Sequence, residues 1–173
     1  MSRTPKLIFA GFLFAGFALN SAAPAQAKQD QLTSGTPLSA ADKKHLLDDN
    51  FVLVKTVAAM PLPVQKKILG TGIREGMADV GQPYETSDMV GSKPLPFQRL
   101  IYTGTAPGYC FVYRECGGFG TRQEVSLYHL SPGQAVLVWQ ADLQDDKKLL
   151  SLPELRSVID KGKFYSIRLP KQL

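Results

Sequence analysis

Only two cysteines, two histidines and one tryptophan occur among the 173 residues, and these scarcities narrow the available chemistry from the outset. A structural zinc site needs four ligands, usually delivered in part by closely spaced cysteine pairs. Cys110 and Cys116 are too far apart in sequence for such a pair, and their spacing is not that of a thioredoxin-type redox motif. Neither a metal nor a cofactor is therefore expected. His45 and His129 have no serine or cysteine close by in sequence with an acid to orient them, so no nucleophilic triad is signalled. Clustered basic residues are missing as well. The net charge is +5, but lysines and arginines alternate with acids, as in Asp145-Asp146-Lys147-Lys148. That is not the footprint of a phosphate-backbone reader, and nucleic acid is not an expected partner.

A long apolar run is also lacking. The stretch LIFAGFLFAGFAL, Leu7 to Leu19, falls short of the roughly 20 residues that a spanning helix needs. It follows Arg3 and Lys6 and leads into NSAAPAQA. A basic end, a short apolar centre and an A-x-A ending at Ala25-Gln26-Ala27 are the parts of a cleavable secretory signal. The reading is export to a periplasmic or extracellular location, a mature chain starting at Lys28, and no stable membrane anchor after cleavage. No cysteine lies near the cut for lipid attachment, and Arg3 followed by Thr4 is not a twin-arginine signal.

What is present describes an α+β protein. Residues 28 to 38 are polar and read as a flexible lead-in, and 39 to 173 as one α+β domain. Ser39 is placed to cap a helix from Ala40 to Asp49, which should be brief because acids at its C-terminal end oppose the helix dipole. Phe51 to Val57 (FVLVKTV) is rich in β-branched residues and reads as a strand. Pro63 suits the first turn of a short helix over Val64 to Leu69. Thr71 to Pro96 is a long connection, rich in glycine, proline and polar residues, of a length that marks a functional or core-wrapping segment.

Between Phe97 and Ala141, four strand-like segments alternate with Ala106-Pro107-Gly108, Gly117-Gly118-Phe119-Gly120 and Ser131-Pro132-Gly133. Such short links cannot join parallel neighbours, so the segments form an antiparallel meander. Ser151-Leu152-Pro153-Glu154 is a capping box that opens a helix running to Lys161, Gly162 stops it, and Lys163 to Leu169 is a closing strand. The expected fold is an antiparallel meander sheet of five or six strands, packed by two or three short helices on one face.

In a straight strand Cys110 and Cys116 lie on the same face, roughly 20 Å apart at about 3.3 Å per residue. A disulfide wants Cα atoms about 5.5 Å apart. The oxidising compartment and the even cysteine count favour a bridge, but FVYRE between them offers no turn former. Two free thiols are expected, Cys110 packed inward and Cys116 near the turn.

Tyr109, Phe111 and Tyr113 project to the face opposite the cysteines, and Tyr128 and Trp139 come from neighbouring strands. Should one side of the sheet be open, these five form a tyrosine-lined binding surface, since tyrosine joins apolar area to a polar tip. The competing reading makes the same rings core. The expected function is a non-enzymatic binding or interaction protein of the cell envelope, its partner an envelope protein or a small ligand. The alternative is a small secreted hydrolase with a centre drawn from Asp79, Glu85, Asp88 and His129. Asp142, like Asp145 and Asp146, reads as a solvating acid.

Overall fold

Turn chemistry sets the middle of the molecule. In the computed structural model, residues 35–69, 76–87, 95–118, 120–144, 147–167 and 169 are described, all within the unit Thr33–Leu173. The expected signal, most of the expected lead-in, and Asp88, Asp145 and Asp146 lie outside the described residues. Gly108 and Gly133 adopt φ of 78° and 73°, the left-handed conformation that lets a two-residue Pro-Gly link reverse the chain at little steric cost. They join strands β2 (Gln98–Ala106) to β3 (Tyr109–Cys116) and β4 (Arg122–Ser131) to β5 (Gln134–Leu143). With edge strands β1 (Val52–Val54) and β6 (Phe164–Ser166), the result is a six-stranded antiparallel sheet in the order β1-β2-β3-β4-β5-β6.

Among the described residues three helices pack on this sheet: α1 (Ala40–Asp48), α2 (Leu62–Ile68) and α3 (Leu152–Asp160). Among the described residues no helix is long and apolar enough to cross a membrane. The cap of α1 is Ser39, whose Oγ accepts from Asp42 N at 3.0 Å. The capping box of α3 forms in full, with Glu154 Oε2 accepting from Ser151 N at 3.1 Å. The acid-rich end of α1 is tied down from α3: Arg156 donates from Nε to Leu46 O at 3.1 Å and from Nη2 to Asp49 O. A guanidinium at that end supplies the positive charge that the helix's own acids deny it.

The helices cover both faces of the sheet, which corrects the expectation of one. On the first face, Leu46 of α1 and Leu155, Val158 and Ile159 of α3 join Tyr102, Tyr109, Phe111, Tyr113, Leu127 and Trp139 in one cluster. On the second face, Val64 of α2, Met60 and Met77 join Leu100, Cys110, Val112 and Tyr128. The reason lies in β3, whose eight residues are all buried. Its two sets of alternate side chains are both largely apolar, so neither can be left to water.

Strand β1 is shorter than the expected Phe51 to Val57. Asp79 Oδ1 takes the Val57 amide at 2.6 Å, and the chain leaves the sheet into a single 3-10 turn, Val57–Ala59. Both cysteines are free and buried on the second face.

Burial in that interior holds several acidic groups in their neutral forms. It raises the Tyr102, Tyr128 and Cys110 groups above their usual ranges. Burial, with Glu124 adding to it, pushes the Cys116 thiol up to about 11. The unfolded chain ionises these groups first, so the stability they confer is complete below the ordinary thiol and phenol pKa values and disappears as pH rises through the folded ones. Unfolding free energy from urea titrations is expected to hold steady to about pH 9 and decline towards pH 11. A profile that is flat over that interval would contradict the buried placement of these thiols and phenols.

Candidate functional site

The second sheet face carries a band of polar side chains, of which Arg114, Glu124 and Ser126 are buried. Residues paired across antiparallel strands share a face, and the registers place Leu100, Arg114, Glu124, Asp142 and Tyr165 in one row running from β2 to β6. Gln98, Cys116 and Arg122 form the next row towards the β3–β4 turn. Val112, Ser126 and Gln140 lie on the other side, next to the apolar half under α2.

The charges are arranged along these rows. The Arg114 Nη2 group donates to Glu124 Oε1. Arg122 stands 3.8 Å from Glu124 Oε2 through Nη2 and 3.2 Å from Asp142 Oδ1 through Nε. Two guanidinium groups thus face two carboxylates. Burial, the largest influence, holds the Asp142 carboxyl above the usual carboxylate range even though Arg122 pulls it down. Burying an Arg–Glu pair between central strands carries a desolvation penalty of several kcal/mol per ion, which their attraction offsets only in part.

Hydrogen bonding on this surface is incomplete. Gln98 Oε1, Arg114 Nε, Ser126 Oγ and Asp142 Oδ1 are buried without a well-formed hydrogen bond among the described residues, although Arg122 Nε stands 3.2 Å from Asp142 Oδ1 and the Ser126 hydroxyl acts on the Tyr128 phenol. Buried polar groups are ordinarily paired, because an unmet donor or acceptor costs about 1–3 kcal/mol. Exposure rises along the row towards the sheet edge. Side chains of Glu124 and Arg114 are 2% and 9% exposed, that of Asp142 is 34%, and Tyr165 is 67%. The arrangement is a polar floor closed in the middle of the sheet and open at β6. Chemically it offers fixed donors and acceptors to a ligand.

The residues singled out from sequence fall elsewhere. Tyr109, Phe111, Tyr113 and Trp139 are at most 8% exposed beneath α1 and α3. The open aromatic face is therefore corrected to core, for the apolar sides of those two helices cover it. Tyr128 lies on the opposite face under the α2 cluster.

The hydrolase residues are not brought together either. Asp79 holds the Val57 amide, and Glu85 accepts from the Ser87 amide and hydroxyl. His129 stands beside Tyr109 with ring centroids 4.5 Å apart, and its Nε2 is 3.9 Å from Asp42 Oδ1, too far for a hydrogen bond. His45 stacks on the same tyrosine at 4.2 Å, which makes both histidines packing partners of Tyr109. A cysteine–histidine couple is excluded by register, since Cys110 and Cys116 share the face of Tyr128 and Arg122 while His129 points to the other.

An open cleft of about 240 Å³ beside α3 is bordered by Lys147, Lys161 and Lys163. Its acid, Glu154, is committed to the α3 cap. All the surrounding polar groups are in reach of water there, so the cleft carries a weaker signal than the unmet groups of the polar floor.

Sequence reading missed Gln98, Arg114, Glu124, Ser126 and Tyr165, and took Asp142 for a solvating acid. A signal for them exists. Once β3 is read as apolar on both alternations, Arg114 and whatever pairs with it must be buried. Comparison with known proteins finds no matching family model, no similar curated protein and no similar solved structure.

Proposed function

We propose that the chain is an exported, non-enzymatic binding protein of the cell envelope, and that it holds a small polar ligand on the Arg114–Glu124–Asp142 row. The observation that carries this reading is the set of four buried polar atoms without a well-formed hydrogen bond, Gln98 Oε1, Arg114 Nε, Ser126 Oγ and Asp142 Oδ1. Their cost to the fold is offset if a ligand completes their hydrogen bonds. A binding rather than a catalytic role is supported by the state of the groups present. Glu124 is held by two arginines, and a Cys116 thiol pushed up to about 11 is not a nucleophile at neutral pH.

The test is ligand capture. The purified protein is mixed with a low-molecular-mass extract of cell envelope, recovered, denatured, and its released compounds identified by mass spectrometry. A compound retained in near-equimolar amount and chemically unchanged is expected. Ser126→Ala should retain at least about 10-fold less, the effect of one lost hydrogen bond of about 1.4 kcal/mol. Equal retention by the variant, no retained compound at all, or a compound released in altered form would each overturn the proposal.

A further inference from the structure

A second site follows from the cleft beside α3, independently of the polar floor. We infer that this cleft binds the phosphate group of a small phosphate monoester. The space is open to solvent and measures about 240 Å³, with Leu149 and Val158 as its apolar lining and Ser157, Lys161 and Lys163 around them.

The acids near the cleft are already engaged. Glu154 Oε2 accepts from Leu150 N at 2.9 Å, from Ser151 N at 3.1 Å and from Ser151 Oγ at 3.0 Å. Those bonds, the one from the Ser151 hydroxyl foremost, hold its carboxyl below the usual carboxylate range, and the charge of Lys147 adds to the effect. Asp160, next to Lys161, is taken from α1: Lys43 Nζ stands 3.3 Å from its Oδ1 and donates to its backbone carbonyl at 3.2 Å. The carbonyls at the end of α3 are closed as well. Gly162 turns the chain at φ 67°, its amide donates to Ile159 O at 3.1 Å, and the Lys163 amide donates to Val158 O at 3.0 Å. These are the two bonds of a Schellman ending. Bare carbonyls at a helix C-terminus draw cations, but here backbone donors meet them. Among the described residues, Lys161 and Lys163 are left with no ion-pair partner.

The charge in excess selects the ligand. With Lys147 set against Glu154, two ammonium charges remain at the cleft, held on either side of Gly162 by the helix ending. A phosphate monoester carries about −1.5 to −2 at neutral pH and offers three strong acceptor oxygens, whereas a carboxylate brings one charge. Lysine binds phosphate as a point charge, and the Ser157 hydroxyl adds a donor. Leu149 and Val158, both buried, give the carbon chain of the ester an apolar surface. The volume lies below the roughly 300–1,000 Å³ of pockets for drug-sized ligands, so the ester is small.

Titration of the 15N-labelled protein followed by NMR tests this, with glycerol 1-phosphate as the probe and propionate and glycerol as the comparisons. The ester is expected to move the amide signals of Ser157, Lys161, Gly162 and Lys163, with a Kd of about 1 mM or tighter at about 10 mM salt. At about 150 mM salt it should bind at least about 3-fold more weakly, because exposed charges are screened. Propionate should bind at least about 5-fold more weakly than the ester, and glycerol should leave the signals in place. Lys161→Gln with Lys163→Gln should weaken the ester at least about 10-fold, whereas Lys161→Arg with Lys163→Arg should stay within about 3-fold of the parent. Both lysines are exposed, so either pair of substitutions should keep the parental melting temperature. No shift at these amides, an affinity unchanged in the glutamine pair, or propionate or glycerol binding as well as the ester would overturn the inference. Sedimentation with phosphatidylcholine vesicles containing phosphatidic acid identifies the source of the phosphate. Co-sedimentation lost in the glutamine pair assigns it to a lipid headgroup, and its absence beside a positive titration assigns it to a soluble ester. Co-sedimentation that is undiminished in the glutamine pair, or equal with pure phosphatidylcholine, would count against the cleft. Ser126→Ala should titrate like the parent, so failure here and failure of the polar-floor reading are told apart.

Discussion

Glu124→Ala is expected to destabilise the protein by about 3–5 kcal/mol, a large part of the roughly 5–15 kcal/mol that holds a domain of this kind folded. The loss does not come from an attractive contact alone. Removing the carboxylate leaves the Arg114 guanidinium, 9% exposed, without its counter-charge in the middle of a sheet, and Arg122, which leans on the same carboxylate at 3.8 Å, loses its inner partner. Arg114→Met together with Glu124→Leu should recover most of the stability, because a well-packed apolar pair avoids the desolvation penalty that the ion pair bears. Urea unfolding followed by circular dichroism measures both variants. Stability alone does not require the ion pair, and the double variant gives the decisive comparison: a fold as stable as the parent that no longer retains ligand. A loss under about 1 kcal/mol in Glu124→Ala would mean that the pair is solvated, and a double variant that still captures ligand would detach binding from this row.

The meander is legible in the sequence because its links are short and local. Pro107-Gly108 and Pro132-Gly133 each combine a fixed φ with a residue that accepts a positive one, and no longer-range knowledge is needed to see the reversal. The caps at Ser39 and Ser151 are legible for the same reason, since donor and acceptor are three residues apart. The free thiols follow from strand geometry alone. What escapes is whatever depends on partners distant in sequence. The end of β1 is set by Asp79, 22 residues from the Val57 amide that it takes. The face taken by α2 depends on the match between Val64 and the Cys110–Val112 side of β3.

The candidate site escapes for a related reason. Arg122, Glu124 and Ser126 alternate with Val125 and Leu127, a pattern that in an ordinary two-layer sheet means solvent outside and core inside. Here Met60, Val64 of α2 and Met77 turn part of the second face into an interior. Polar residues that look like surface, Glu124 and Ser126 among them, are then buried.

Trp139→Ala should cost about 3–5 kcal/mol and should also disturb the ligand row without touching it. The ring is fully buried, lies opposite Leu127 across the β4–β5 pairing, and meets Phe164 edge to face at a centroid distance of 5.1 Å. Its Nε1 donates to Ser166 Oγ at 3.0 Å. Phe164 and Ser166 flank Tyr165, so the indole anchors both neighbours of the exposed ring at the mouth of the site. Truncation removes the packing and the hydrogen bond together and leaves β6, only three residues long, to its backbone pairing with β5. Trp139→Phe keeps most of the volume and isolates the hydrogen bond, with an expected cost of about 1–2 kcal/mol. Unfolding followed by circular dichroism avoids dependence on the lost fluorophore, and amide hydrogen exchange reads the second effect: Tyr165 and Ser166 should exchange faster in Trp139→Ala while the centre of β3 stays protected. A Trp139→Ala protein of parental stability would restore the sheet face as a binding surface. Accelerated exchange spread evenly over β3 and β6 would show instead that the edge strand is not separately anchored, and that the mouth of the site is held by the whole sheet.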